Sequence, residues 1–218
     1  MTEVVLMSDP KVAALPVREC GERLVNVRGD GRLLVDERKR QDSADAFTHL
    51  REGVLRRLVE AQDRLPDGMR LLFVEGYRPP ALQRHYFDSY ADELRADHPD
   101  WSAETIRSAA SRYVSPPEIA PHSAGAAVDL TLADADGREH DLGTRMNATP
   151  EESAGACYTD ADNISEEARA LRTVLGTALS TVGLVNYPTE WWHWSYGDRY
   201  WALMSGAPAA LYGATELG

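Results

Sequence analysis

Apolar residues recur along this chain with two different periods, and each change of period marks an element boundary. From Asp45 to Leu65, Phe47, Leu50, Val54, Leu55 and Leu58 fall at helical spacing. Asp45 is the expected cap of that helix, and Pro66-Asp67-Gly68 its stop. Met69 to Val74 is a short apolar run suited to a buried strand, closed by Gly76 and Pro79-Pro80. Leu82, Tyr86, Tyr90 and Leu94, widened by Phe87, predict one face of a helix over Ala81 to Asp97. Ser102 and Glu104 open a third helix that runs through Ile106 and Ala110 to about Val114, where Ser115-Pro116-Pro117 stops it. From Ala126 to Leu132 the pattern alternates: Val128, Leu130 and Leu132 take one face, and Ala127, Asp129 and Thr131 the other. Residues 133–164 are polar and predict a long loop, a length that in a compact domain usually carries function. Ser165 and Glu167 start a helix ending at Gly183, Val185 to Tyr196 is aromatic-rich and strand-like, and Asp198 to Met204 forms a short last helix. Near the start, Leu24 to Val27 and Leu33 to Val35 flank Gly29-Asp30-Gly31 and predict a hairpin. Clustered helices with few strands predict an α+β fold, a small sheet flanked by helices, in a single domain over residues 1–218.

Composition narrows the function. Lys plus Arg number 23 and Asp plus Glu 35, a net charge of −12, with a pI near 4.9. That balance repels phosphate backbones and anionic lipid, so neither nucleic acid nor a membrane surface is an expected partner. No apolar run approaches the roughly 20 residues of a membrane span. The first residues are acidic and broken by Pro10, unlike a secretory signal. Two cysteines, Cys20 and Cys157, cannot build a disulfide framework or a cysteine-based zinc site. A cytoplasmic enzyme or a cytoplasmic binding protein fits, and the oligomeric state is left open.

Two of the six histidines have unusual neighbours. His122 follows Pro121 and precedes Gly125 and three alanines, a stretch whose backbone can pass close to another group. Asp129 follows on the strand face opposite Val128 and Leu130. The second cluster is Glu190-Trp191-Trp192-His193. In a regular strand Glu190 faces away from His193, so a shared site requires a turn or bulge between them, which Pro188 and Thr189 make feasible. An aromatic core strand with an internally bonded His193 is the competing reading. Together the clusters offer two imidazoles and two carboxylates. Three nitrogen and oxygen donors suit Zn²⁺ with a fourth position for water. The natural division puts His122, Asp129 and His193 on the metal and makes Glu190 the general base. Arg78, at the end of the 69–74 strand, is a candidate cation for the developing oxyanion, its alternative being a structural ion pair with Glu75.

These residues resemble the VanX-type D-alanyl-D-alanine dipeptidases, grouped with zinc D,D-carboxypeptidases and hedgehog-like domains. The pattern Ser-x-His-x-x-Gly-x-Ala-x-Asp is met by His122, Gly125, Ala127 and Asp129, Glu-x-x-His by Glu190 and His193, and Tyr-Arg-Pro by Tyr77, Arg78 and Pro79. The resemblance implies zinc on His122, Asp129 and His193, Glu190 as base, Arg78 as stabiliser of the tetrahedral intermediate, and zinc on the open face of a small antiparallel sheet. It implies substrate contacts at Tyr77, Ala120 and Asn147. Two of these depart from the pattern: Ala120 stands for a serine and Asn147 for an aspartate, both of which help hold the substrate ammonium. Glu139, Asp141 or an acid of the 151–162 loop are the expected compensations. The function expected is hydrolysis of a small peptide, D-alanyl-D-alanine foremost. A zinc D,D-carboxypeptidase or other small-peptide amidase, and a non-catalytic metal-containing binding protein, are the rivals.

Overall fold

The computed structural model describes residues 4–39 and 45–217. In chain order the elements are α1 (Pro10–Ala14), β1 (Leu24–Asn26), β2 (Leu34–Val35), β3 (His49–Arg51), α2 (Glu52–Gln62), β4 (Arg70–Glu75), α3 (Pro80–Asp97), α4 (Ala103–Ala110), β5 (Ala127–Ala133), α5 (Glu166–Thr181), β6 (Val185–Asn186), β7 (His193–Ser195) and α6 (Arg199–Ser205). Five strands form the central sheet in the order β2-β4-β5-β7-β6. The β2–β4 pair is parallel and the rest antiparallel. The α+β architecture expected from the sequence is present, with a parallel edge strand as its one departure from an antiparallel sheet.

The alternation read in 126–132 is β5. Val128, Leu130 and Leu132 are buried in one core with Leu71 and Phe73 of β4, Leu58 and Ala61 of α2, Leu175 and Leu179 of α5, and Trp194 of β7. Removing most of one such side chain costs about 2–5 kcal/mol, so the sheet is firmly seated on this face. Asp129 and Thr131 therefore point to the other face, where α3 and α4 pack around Phe87, Ala91, Leu94, Ile106, Ala110 and Val114. A register shift between Phe73 and Glu75 brings Glu75 opposite Asp129. Such a bulge re-aims a side chain, and here it delivers a carboxylate to the open face.

Four expectations are corrected. The 24–35 hairpin does not form: β1 pairs with β3 and β2 with β4, because Val27–Gly29 is a 3-10 turn capped by the Asn26 side chain and not a two-residue reversal. The helix placed from Asp45 begins only at Glu52. Ala46–Thr48 is a 3-10 turn and His49–Arg51 a strand, since the Phe47 and His49 carbonyls accept the amides of Gly76 and Tyr77. Phe47 and Leu50 are buried either way, so their spacing could not separate the two. Residues 185–196 are two short antiparallel strands joined by a turn. On α3, Phe87, Ala91 and Leu94 make the buried stripe, while Tyr86 and Tyr90 are half-buried. The 133–164 stretch is the expected long segment of turns. Among the described residues no helix is long and apolar enough to cross a membrane.

Candidate metal centre

His122 sits on a 3-10 turn, His122–Ala124, entered at Pro121 and ended by Gly125 at φ 64°. A side chain at Gly125 would be strained there, and its Cβ would meet Leu24 Cδ2. The turn is fixed from outside: Arg51 donates its amide to the Gly125 carbonyl and its Nε to the Ala124 carbonyl. Its guanidinium also reaches the Glu22 and Gly213 carbonyls. The Gly76 carbonyl accepts from His122 Nδ1 at 2.6 Å, which puts the ring proton on Nδ1 and leaves the Nε2 lone pair facing the cleft.

Asp129 and His193 are direct cross-strand partners in β5 and β7, so their side chains share the open face. Glu190 joins them through the turn. Its amide donates to the Tyr187 carbonyl, and its carbonyl accepts from the His193 amide. The Asn186 side chain clamps the Glu190 and His193 carbonyls, both at 3.0 Å. Glu190 Oε2 thereby lies 3.8 Å from His193 Nδ1. The turn that the sequence required for a shared site is present.

Three donor atoms converge. His122 Nε2 lies 3.2 Å from His193 Nδ1, His193 Nδ1 lies 3.1 Å from Asp129 Oδ1, and Asp129 Oδ1 lies 3.4 Å from His122 Nε2. A tetrahedral ion with bonds of about 2.0–2.1 Å separates its ligands by about 3.3–3.4 Å. The triangle fits zinc, and the donor set is the nitrogen and oxygen set zinc takes. All three residues are buried. Burial pushes the Asp129 carboxyl up, but the facing His122 and His193 reverse this and hold it well below the usual carboxylate range. Burial lowers His193, against the pull of Asp129, which keeps it neutral as a ligand must be. Burial also raises Glu190, reinforced by Asp129 and Glu75 and opposed by Arg78.

Arg78 forms the ion pair with Glu75 and also faces the cleft. Its Nε and Nη2 each bond the Glu75 carboxylate at 2.7 Å, and its Nη1 bonds Gln83 Oε1 at 2.9 Å. Gln83 is held in turn by the Ser115 carbonyl. Three of the five guanidinium N–H groups are thus used for positioning, and the side chain still lines the cleft.

The cleft has a volume of about 510 Å³. Its walls include the three ligand residues, Glu190, Arg78, Tyr86, Tyr90, Tyr113, Arg145, Asn147, Glu152 and Trp192. Asn147 is the one of the three resemblance-derived substrate contacts on the wall. Tyr77 is buried with its hydroxyl on the Thr215 carbonyl, and Ala120 is buried behind the His122 turn; neither lines the cleft. Glu139 and Asp141 open instead onto a separate recess with Asp36 and Arg38. Glu152 is the loop acid that reaches the cleft, held by Arg145 and the Thr149 amide. Sequence reasoning missed the wall formed by Tyr86, Tyr90 and Tyr113. Their recurrence on helix faces reads equally well as core.

A profile of the M15 peptidase family, D-Ala-D-Ala dipeptidase, matches residues 39–205. A D-alanyl-D-alanine dipeptidase of Synechocystis sp. is 30% identical over 219 residues, covering 87% of each chain. Among solved structures, a zinc-bound mutant of the vancomycin resistance D,D-pentapeptidase VanY is similar at 18% identity and TM-score 0.43, covering 79% of this chain and 84% of that one. The LD-carboxypeptidase LdcB is similar at 16% identity and TM-score 0.46, covering 88% of this chain and 76% of that one.

Proposed function

Because the chain belongs to the D-Ala-D-Ala dipeptidase family of M15 peptidases, we propose that its cleft hydrolyses D-alanyl-D-alanine with one zinc ion held by His122, Asp129 and His193. The observation that carries this reading is the triangle of donor atoms 3.1–3.4 Å apart with Glu190 beside it. When bound there, zinc supplies Lewis acidity and makes a water nucleophilic near neutral pH.

The protein's own groups do the rest. Glu190 takes the proton of the attacking water on its carboxylate and returns it to the leaving amine nitrogen. Arg78, locked by Glu75 and Gln83, offers its two remaining N–H groups to the carbonyl oxygen as negative charge develops. Because this donor is held before the substrate arrives, little reorganisation is needed at the moment of reaction. Asn147 faces the substrate with an amide oxygen in place of a carboxylate, and Glu152 supplies negative charge on the same wall. Two unpaired cysteines, one exposed and one buried, agree with a cytoplasmic setting.

The test is a panel of L,L, L,D and D,D dipeptides, with N-acylated D-alanyl-D-alanine beside the free form, given to the zinc-loaded protein. Hydrolysis of the free D,D dipeptide is expected, with loss of activity on chelation and recovery on adding zinc. Cleavage of the acylated form at an equal rate would assign a carboxypeptidase instead. No hydrolysis of any member would leave the binding-protein reading standing.

A further inference from the structure

The outer side of His193 holds a second polar group that the reaction above does not use. With Nδ1 in the donor triangle, His193 Nε2 points away from the cleft and is buried without a hydrogen-bond partner among the described residues. Ser195 Oγ and Asp198 Oδ2 are buried and unpartnered in the same way. The three residues are 3%, 1% and 2% exposed. They lie close along the chain, and the Asp198 charge is felt at His193, although no hydrogen bond joins Nε2 to Oδ2 in this structure. His193 and Ser195 are two apart in β7 and share a face, and Asp198 follows after the Gly197 turn as the cap of α6. That cap uses only one carboxylate oxygen: Oδ1 accepts the amides of Tyr200 and Trp201. Oδ2 is left for something else. Burial raises the Asp198 carboxyl, and the Ser195 hydroxyl and the His193 imidazole are both near enough to oppose that rise.

We propose that Asp198 is a positioning residue for the metal centre: its Oδ2 accepts the Nε2 proton of His193, fixing the tautomer that presents Nδ1 to the ion. A ligating histidine is normally held this way by a carboxylate, carbonyl or water on its other nitrogen. His122 has such a partner in the Gly76 carbonyl; for His193 the free Asp198 Oδ2 is the group assigned to that place in the zinc-loaded protein. The cap and the ligand are then two ends of one carboxylate, which ties the start of α6 to the metal. The inference rests on the zinc reading above.

The experiment measures zinc affinity of the full chain by competition with a chromophoric chelator, for wild type, Asp198→Asn and Asp198→Ser. Both variants keep a side-chain oxygen able to cap α6, so the melting curve of the metal-free protein checks that the fold survives. Zinc binding weaker by about 10–100-fold with the metal-free fold intact is expected. Variants that bind zinc as wild type does overturn the proposal alone. A wild-type chain that takes up no zinc overturns the metal reading, and this inference with it. Should either variant fail to fold, nitrogen-resolved NMR of the histidines in zinc-loaded wild type decides. A His193 Nε2 proton that is slow to exchange and shifted downfield, as in a hydrogen bond to a carboxylate, supports the assignment, and a fast-exchanging Nε2 proton or metal at Nε2 overturns it.

Discussion

Glu190→Gln isolates the proton transfer from everything else in the site. The donor triangle consists of His122 Nε2, Asp129 Oδ1 and His193 Nδ1, and Glu190 is outside it, 3.8 Å from the nearest ligand nitrogen. Gln is nearly the same shape, so the buried turn and the cleft wall keep their packing, whereas an alanine would open room for a substitute water. The amide cannot take a proton at neutral pH. General base catalysis contributes about 10²–10⁴-fold, which at about 1.36 kcal/mol per decade is about 2.7–5.4 kcal/mol of activation free energy. The expected result is kcat lower by at least about two decades, with one zinc per chain retained and KM little changed. Gln removes a negative charge near the dication and weakens zinc binding somewhat, so the comparison is made with zinc in excess. The assay is D-alanine release from D-alanyl-D-alanine, with metal content measured on the same sample. A fully zinc-loaded variant with kcat within threefold of wild type would refute Glu190 as the base.

Three other changes probe the parts around it. Arg78→Lys removes the fork that bonds Glu75 at two points; kcat should fall about 10²-fold, the scale of one oxyanion donor, with zinc content unchanged, and an unaltered kcat would return Arg78 to a purely structural ion pair. Gly125→Ala forces a side chain into the left-handed region at a cost of about 1–2 kcal/mol, besides the contact with Leu24. A calorimetric melt should show a loss of several degrees, partly regained with Leu24→Ala, and an unchanged melt would refute the strain. Arg172→Met strips donors from the Leu142, Ala156, Tyr158 and Thr159 carbonyls. The 142–159 loop that carries Asn147 and Glu152 should become open to proteolysis and KM should rise while zinc affinity holds; a resistant loop would show that other contacts suffice.

The parts of the site that a sequence can reveal are those whose geometry is set locally. Asp129 is legible because strand alternation alone decides its face once Val128, Leu130 and Leu132 are in the core. His122 is legible because Pro121 stands at the entry of its turn and Gly125 ends it at a positive φ few residues accept. Glu190 and His193 are a different matter. Strand alternation sends them to opposite faces, and the motif spacing asserts a shared site without showing how one could form. What brings them together is tertiary: the Trp191 amide donates to the Cys157 carbonyl, Asn186 grips two carbonyls of the turn, and the Trp191 ring lies over the Arg172 guanidinium. Each of those partners is remote or depends on the long polar loop being folded. Residues 45–51 are hidden for the same reason. Phe47 and Leu50 fit a helix as well as a turn and strand, and the choice is made by Gly76 and Tyr77, whose amides need the Phe47 and His49 carbonyls. Gly76 can approach so closely only because it lacks a Cβ, which would lie 2.4 Å from the His49 carbonyl oxygen. The same glycine carbonyl holds His122 Nδ1. One small residue therefore joins the segment whose conformation the sequence hides to the ligand it reveals, and Gly76 is the position where fold and metal centre depend on a single backbone approach.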